Sequence, residues 1–140
     1  MSSHVTTDGQ HWLVDYRGCD ISLLKDPRAL EQVLVAAVEA AGAHPLERAF
    51  HPFEPEGVSG VVLLAESHIT IHTWPTEAYA AVDFYTCGDT EPRHAHAYLI
   101  ERLGCQDASV MVVQRGLRPK PGPAVSMDIT APVANTSPSE

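Results

Sequence analysis

Two β-forming runs joined by a very short bend constrain this chain more than any other feature. Val58 to Ala65 is almost continuously apolar. His68 to Trp74 alternates, with His68, Thr70, His72 and Trp74 on one side and Ile69, Ile71 and Thr73 on the other. The tripeptide Glu66-Ser67-His68 marks the bend between them. A connection this short permits antiparallel pairing and excludes a helical crossover. The first run reads as a buried central strand, and Ser67 is held between two strands.

The flanking sequence extends this pattern. His11 to Tyr16 reads as a first strand. Asp26-Pro27 starts a helix, with Asp as N-cap and Pro in the first turn, and Gly42 stops it. Leu30, Val33, Leu34, Ala37 and Val38 form the apolar stripe of a helix packed on a sheet. A strand over Ala43 to Phe53 is interrupted by Pro45 and Pro52, and Pro55-Glu56-Gly57 and Pro75-Thr76-Glu77 read as turns. Ala78 to Thr86 is a strand, Thr90 to Leu103 a helix closed by Gly104, and Ala108 to Arg115 a last strand. The order β-α-β-β-β-β-α-β predicts an α+β fold, a two-layer α/β sandwich with a mainly antiparallel sheet and two helices on one face. Residues 1–115 form the expected single domain. The proline- and serine-rich stretch 116–140 is expected to be a disordered tail. The bare sheet face calls for a cover, and a homodimer is the expected one.

The formal net charge of −9 over 140 residues argues against a nucleic-acid partner, which needs a cationic surface, and suits a cationic small molecule. Cys19, Cys87 and Cys105 are an odd number without CxxC spacing, which argues against a disulfide framework and a structural zinc site. No apolar run is long enough to span a bilayer and no secretory signal is expected, so no membrane partner is expected and a cytoplasmic location is.

A serine in a tight bend can attack its own preceding carbonyl, gaining the effective concentration of a held geometry. Elimination from the resulting ester leaves dehydroalanine, which hydrolyses to a pyruvoyl group and ammonia. That elimination needs a base, for which His72 and His68 are candidates, and Ser59 could face the same site across the hairpin. Cys87, closing a strand beside Gly88-Asp89, could donate a proton. The residues alone leave a second account open, in which the bend is a plain β-turn, His72 a strand histidine and Cys87 a small buried hydrophobe. No metal site is expected. His68 and His72 are about 13 Å apart along a strand, and His94 and His96 point to different sides of a helix.

The segments Gly57-Val-Ser-Gly-Val-Val, Glu66-Ser-His-Ile-Thr-Ile-His-Thr-Trp-Pro75, Tyr79-Ala-Ala-Val-Asp83 and Thr86-Cys-Gly88, with Gly9-Gln-His11, Asp15 and Cys19, carry a resemblance. Over about residues 9 to 115 the chain resembles the small prokaryotic S-adenosylmethionine decarboxylase proenzymes. The resemblance implies a pyruvoyl-dependent carboxy-lyase that makes decarboxylated S-adenosylmethionine for spermidine and polyamine biosynthesis. It implies a zymogen cut autocatalytically between Glu66 and Ser67 into a β chain, 1–66, and an α chain, 67–140. Ser67 would become the covalent pyruvate-derived cofactor that forms a Schiff base with substrate. His72 would be the proton acceptor in processing, assisted by Ser59, and Cys87 the proton donor in catalysis. Phe53, Trp74 and Glu77 fall at or beside substrate-binding positions. The family dimer has two sites near its interface. One departure matters: the family usually reads Trp-Pro-Glu, whose glutamate holds the ribose hydroxyls, whereas here Thr76 follows Trp74-Pro75. Thr76 therefore raises an alternative substrate, ornithine or arginine, on the same scaffold.

Overall fold

Two aspartates start the helices that follow the first strand. The computed structural model describes residues 7–65, 67–117 and 121–130, with 129 and 130 described by backbone alone. Strand β1 runs over Gly9–Arg17. The Asp20 side chain then accepts from the N–H groups of Ser22 and Leu23 and opens α1, Ile21–Leu24. Asp26 accepts from Arg28 and Ala29 and opens α2, Pro27–Ala40, with Pro27 in its first turn. The capping pair Asp26-Pro27 was legible. The single turn of α1 is too short to show a periodicity and was not expected.

The sheet follows from the hairpin. Strands β2 (Pro45–Pro52), β3 (Val58–Leu64), β4 (Ser67–Trp74), β5 (Tyr79–Cys87), β6 (Asp107–Arg115) and β7 (Val125–Thr130) join β1 in the order β2-β3-β4-β5-β1-β6-β7. Every neighbouring pair is antiparallel. The third helix, α3, spans Pro92–Leu103 and ends on Gly104 in the left-handed region, φ 63°. The α+β two-layer sandwich expected from sequence is the architecture found.

The core lies between sheet and helices. Leu30, Val33, Leu34, Ala37 and Val38 of α2 are buried, as are Leu99 and Leu103 of α3. They meet Val62, Ile69, Ile71, Val82 and Phe84 from the sheet's inner face. Gly60 is required here, because a Cβ would come within 2.1 Å of the Phe50 ring. Burial alternates along β5 residue by residue, so Tyr79, Ala81, Asp83, Tyr85 and Cys87 fall on the outer face. His11, His68, Thr70, His72, Trp74 and Ser59 share that face by register.

The tail expectation needs correction. Val125–Thr130 forms β7 on β6, in register from Val113↔Val125 to Ala108↔Thr130. Met127 is 66% exposed, so β7 is held by its backbone ladder rather than by burying side chains. The surrounding prolines hid the short alternation of Val125, Met127 and Ile129 with Ser126, Asp128 and Thr130. Residues 118–120 and 131–140 of the expected tail lie outside the described residues. No helix among the described residues is long and apolar enough to cross a membrane.

Candidate active site

The chain's chemistry-bearing residues fall into two groups at opposite ends of the sheet. At one end, Ser59 on β3 pairs in register with His72 on β4. Ser59 Oγ and His72 Nδ1 are 2.7 Å apart, so one ring nitrogen is engaged and the other is left to handle a proton. A pocket of about 400 Å³ opens beside this pair, lined by Phe53, Glu56, Ser59, His72, Trp74 and Thr76 among others. Its aromatic walls are held in place: Trp74 stacks on Tyr79 at 5.1 Å and Phe53 sits edge-on to His51 at 4.7 Å. The loop carrying Phe53 and Glu56 is closed by the Phe53 N–H donating to Gly57 O at 2.8 Å. Gly57 adopts φ +114°, and a Cβ there would stand 3.0 Å from Thr73 O, so the loop turn needs glycine.

At the other end, Ser67 is the first residue of β4 and Cys87 the last of β5. His68 pairs with Tyr85, which places Ser67 and Cys87 at the same edge. Among the described residues, Ser67 Oγ makes one long hydrogen bond, to Ala65 O at 3.4 Å, which holds a nucleophile weakly. Cys87 lines a second pocket of about 370 Å³ with Gly9, Thr86, Glu91 and Arg115. The Tyr85 hydroxyl is pushed up from its ordinary pKa by burial, then by the neighbouring Cys87, with which it shares a hydrogen bond. Glu66 lies outside the described residues.

This arrangement corrects two expectations. His72 is five residues from Ser67 along an extended strand, about 16 Å, so it cannot serve Ser67 of its own chain directly. Ser59 likewise faces His72, whereas Ser67 pairs with Leu64. Local sequence distance suggested proximity, but strand extension removes it. Glu77, expected to bind substrate, is exposed on the 3-10 turn Pro75–Glu77 and does not line the pocket, while its neighbour Thr76 does.

Between the two ends lies a polar network that the sequence reading missed. Arg115 Nη1 is 3.2 Å from His11 Nδ1. A guanidinium only donates, so His11 Nδ1 accepts and its Nε2–H donates to Asp83 Oδ2 at 2.8 Å. Thr70 Oγ1 donates to the other carboxylate oxygen. Burial alone would raise the Asp83 carboxyl, but the Thr70 and His11 hydrogen bonds and the nearby His11 and His68 outweigh it and hold it below its usual pKa. The ligand atoms of His11, His68 and Asp83 lie within 4.8 Å of one another, a spacing that a metal ion could use. Binding there would require His11 to give up its Nε2 proton while Arg115 still donates to Nδ1, so the hydrogen bonds favour a proton network. His94 is exposed, and His96 turns inward to bond Tyr16 Oη at 2.7 Å.

The comparisons with known proteins agree with this geometry. The family model described as S-adenosylmethionine decarboxylase matches residues 10–116. An S-adenosylmethionine decarboxylase proenzyme of a Geobacillus species is 44% identical over 113 residues, covering 81% of this chain and 91% of that protein. The proenzyme of that name from Caldanaerobacter subterraneus is 46% identical over 114 residues, covering 81% and 92%. The crystal structure of the adenosylmethionine decarboxylase from Aquifex aeolicus superposes with a TM-score of 0.73 at 34% identity, covering 85% of this chain and 99% of that one. A Trypanosoma brucei structure shares the fold at a TM-score of 0.58 and 17% identity, with 74% of this chain matching 45% of that one. With its fold and sequence both matching over most of its length, the chain belongs to the S-adenosylmethionine decarboxylase family.

Proposed function

We propose that this protein decarboxylates S-adenosylmethionine, as the names of its relatives say of them, after cutting itself between Glu66 and Ser67. The observation that carries the reading is the outer sheet face, where a hydrogen-bonded Ser59–His72 pair and an aromatic pocket at one end face the same way as Cys87 at the other. In self-cleavage, Ser67 Oγ attacks the Glu66 carbonyl carbon and the amide nitrogen leaves, giving an ester. A base then takes the Ser67 α-proton, the C–O bond breaks, and Glu66 departs as a carboxylate. The dehydroalanine left behind takes up water and loses ammonia. A pyruvoyl group formed at Ser67 would supply an electrophilic carbonyl for the substrate amine and a sink for the electron pair released with CO₂.

The residues fit that group. Ser67 opens a strand with a hydroxyl held only by a long bond to Ala65 O among the described residues, and the reading gives Cys87, at the same edge, the return of a proton to the substrate carbon. Phe53 and Trp74 offer flat apolar walls for a nucleobase.

The site works as a pair of copies. His72 stands about 16 Å from Ser67 along its own strand, whereas a second chain lying end for end on the outer face would bring its Ser59–His72 pair to the sheet end where Cys87 lies on that face and Ser67 opens β4. Leu13 and Leu63, exposed on that face, would be covered. The substrate is small and cationic, and the free thiols suit a cytoplasmic enzyme. Nothing in the relatives' names or in the site favours ornithine or arginine, so the alternative raised by Thr76 is set aside.

Intact mass on denatured protein tests the processing. Two fragments, with the larger blocked at its N-terminus by a carbonyl, are expected; a folded but uncut chain refutes it. CO₂ release from S-adenosylmethionine, ornithine and arginine assayed in parallel tests the substrate, with turnover expected only on the first.

A further inference from the structure

The pocket between Phe53 and Trp74 contains one carboxylate, Glu56, in an unusual state. Glu56 Oε1 faces the Lys25 ammonium at 3.6 Å. Its other oxygen, Oε2, is buried and has no hydrogen-bond partner among the described residues. An unsatisfied buried acceptor is costly, and native structures keep few of them. The loop around it is well fixed: Phe53 N–H closes it onto Gly57 O, and Thr73 Oγ1 ties the adjoining strand to Leu24 O, next to Lys25. Glu56 is thus held in place with an acceptor to spare.

We infer that Glu56 is a substrate-binding residue whose free carboxylate oxygen accepts hydrogen bonds from the sugar hydroxyls of the nucleoside held between Phe53 and Trp74. The inference deepens the proposed function and rests on its nucleoside substrate. Lys25 already offsets the charge of Glu56. What the carboxylate has left is acceptor capacity, which suits neutral hydroxyl donors better than a cation. Oε2 is closed off from solvent, so engaging a ligand needs rotation about the soft, two-fold terminal torsion, which exchanges the two oxygens between Lys25 and the pocket. Thr76 lines the same pocket but has only a short hydroxyl. Glu56 is the one carboxylate among the lining residues, so acceptor duty falls to it.

The test compares the processed full-length enzyme with Glu56→Ala, Glu56→Gln and the double variant Glu56→Ala/Thr76→Glu. The probes are S-adenosylmethionine turnover and the binding of 5′-methylthioadenosine against its 2′,3′-dideoxy counterpart. A hydrogen bond to a charged acceptor predicts that the wild type prefers the diol by about 10-fold or more. In Glu56→Ala that preference should collapse to within about 3-fold and KM should rise about 10-fold, with kcat and the extent of self-cleavage unchanged. Glu56→Gln, which keeps one acceptor oxygen, should fall between, and a carboxylate at 76 should restore part of the preference. A wild type indifferent to the diol overturns the inference. So does a Glu56→Ala enzyme that binds both probes more weakly by the same factor, because that is the mark of a purely structural loop residue. Since the nucleoside pair is read by binding alone, it judges Glu56 even if wild-type turnover on S-adenosylmethionine fails and refutes the substrate.

Discussion

Ser59 Oγ and His72 Nδ1 are 2.7 Å apart at the end of the outer sheet face farthest from Ser67. The pairing is fixed by strand register, since the hairpin that sets His72 against Ser59 also sets Ser67 against Leu64. Strand geometry therefore separates, within one chain, the residues that the proposed self-cleavage would combine.

Complementation between inactive variants follows from that separation. Ser67→Ala and His72→Ala should each stay essentially uncut when expressed alone, with the His72 variant slowed by about 10² to 10⁴-fold. Co-expressed with tags of different size, they should form mixed dimers in which only the His72→Ala chain is cut, served by the histidine of the Ser67→Ala copy. Gel analysis reads this directly. If both chains stay intact in verified mixed dimers, the shared-site arrangement is wrong.

Asp83 should lend the fold acid-sensitive stability. Thr70 and His11 donate to its carboxylate, and its pKa lies below the ordinary value. A carboxyl with a depressed folded pKa contributes stability that is fully present above its unfolded value, near 3.9, and is lost as pH falls through the folded value. Asp83→Asn should therefore cost about 2 kcal/mol at pH 7, with the difference from wild type shrinking below about pH 4. Urea midpoints measured from pH 7 to pH 3 check this. A difference that does not depend on pH would assign the cost to packing.

Much of this fold was readable because its signals are local. Asp26-Pro27 announces a helix, the alternation in His68 to Trp74 announces a two-sided strand, and the short bend between the central strands fixes their antiparallel sense. The missed features depend on the assembled sheet. In β7, Val125, Met127 and Ile129 alternate with Ser126, Asp128 and Thr130, but the pattern is short and sits among prolines, and only its pairing with β6 makes it a strand. His11 and Asp83 are 72 positions apart and meet only because β1 and β5 are neighbours. The residue types of the candidate site were legible as chemistry, and their grouping was not: from sequence alone, five positions look like proximity, but on an extended strand they are a separation.

His96 should give the fold a second pH dependence, nearer neutrality. It is half-buried on α3 against Tyr16, and burial lowers its pKa, opposed by the nearby Asp128. Burial pushes the Tyr16 phenol well up, so it stays protonated and donates to His96 Nδ1. A histidine with a depressed folded pKa takes up protons more readily when unfolded, so stability is full above about pH 6.5 and declines as pH falls below it. His96→Gln should cost about 1 to 2 kcal/mol at pH 7.5 and flatten the decline between pH 7 and pH 5. Thermal unfolding of the two proteins across that range checks it; parallel curves would show that other groups carry the dependence.

Ala78 offers a way to stabilise the protein. It follows the 3-10 turn at Pro75–Glu77 with φ 52° and ψ 39°, and it is the only non-glycine residue among those described with a positive φ. The left-handed region costs an alanine about 1 kcal/mol or more, because its Cβ crowds the next carbonyl, whereas glycine enters it freely. The geometry is imposed from both sides: Ala78 N–H donates to Pro75 O at 2.9 Å, and Ala78 O accepts from Cys19 N–H at 2.9 Å. Glycine at this position also gains freedom in the unfolded chain, which offsets part of the relief. Ala78→Gly should therefore raise stability by up to about 1 kcal/mol, or about 3 to 5 °C in Tm, without changing the extent of self-cleavage. An unchanged or lowered melting temperature would mean that the surrounding bonds already absorb the strain.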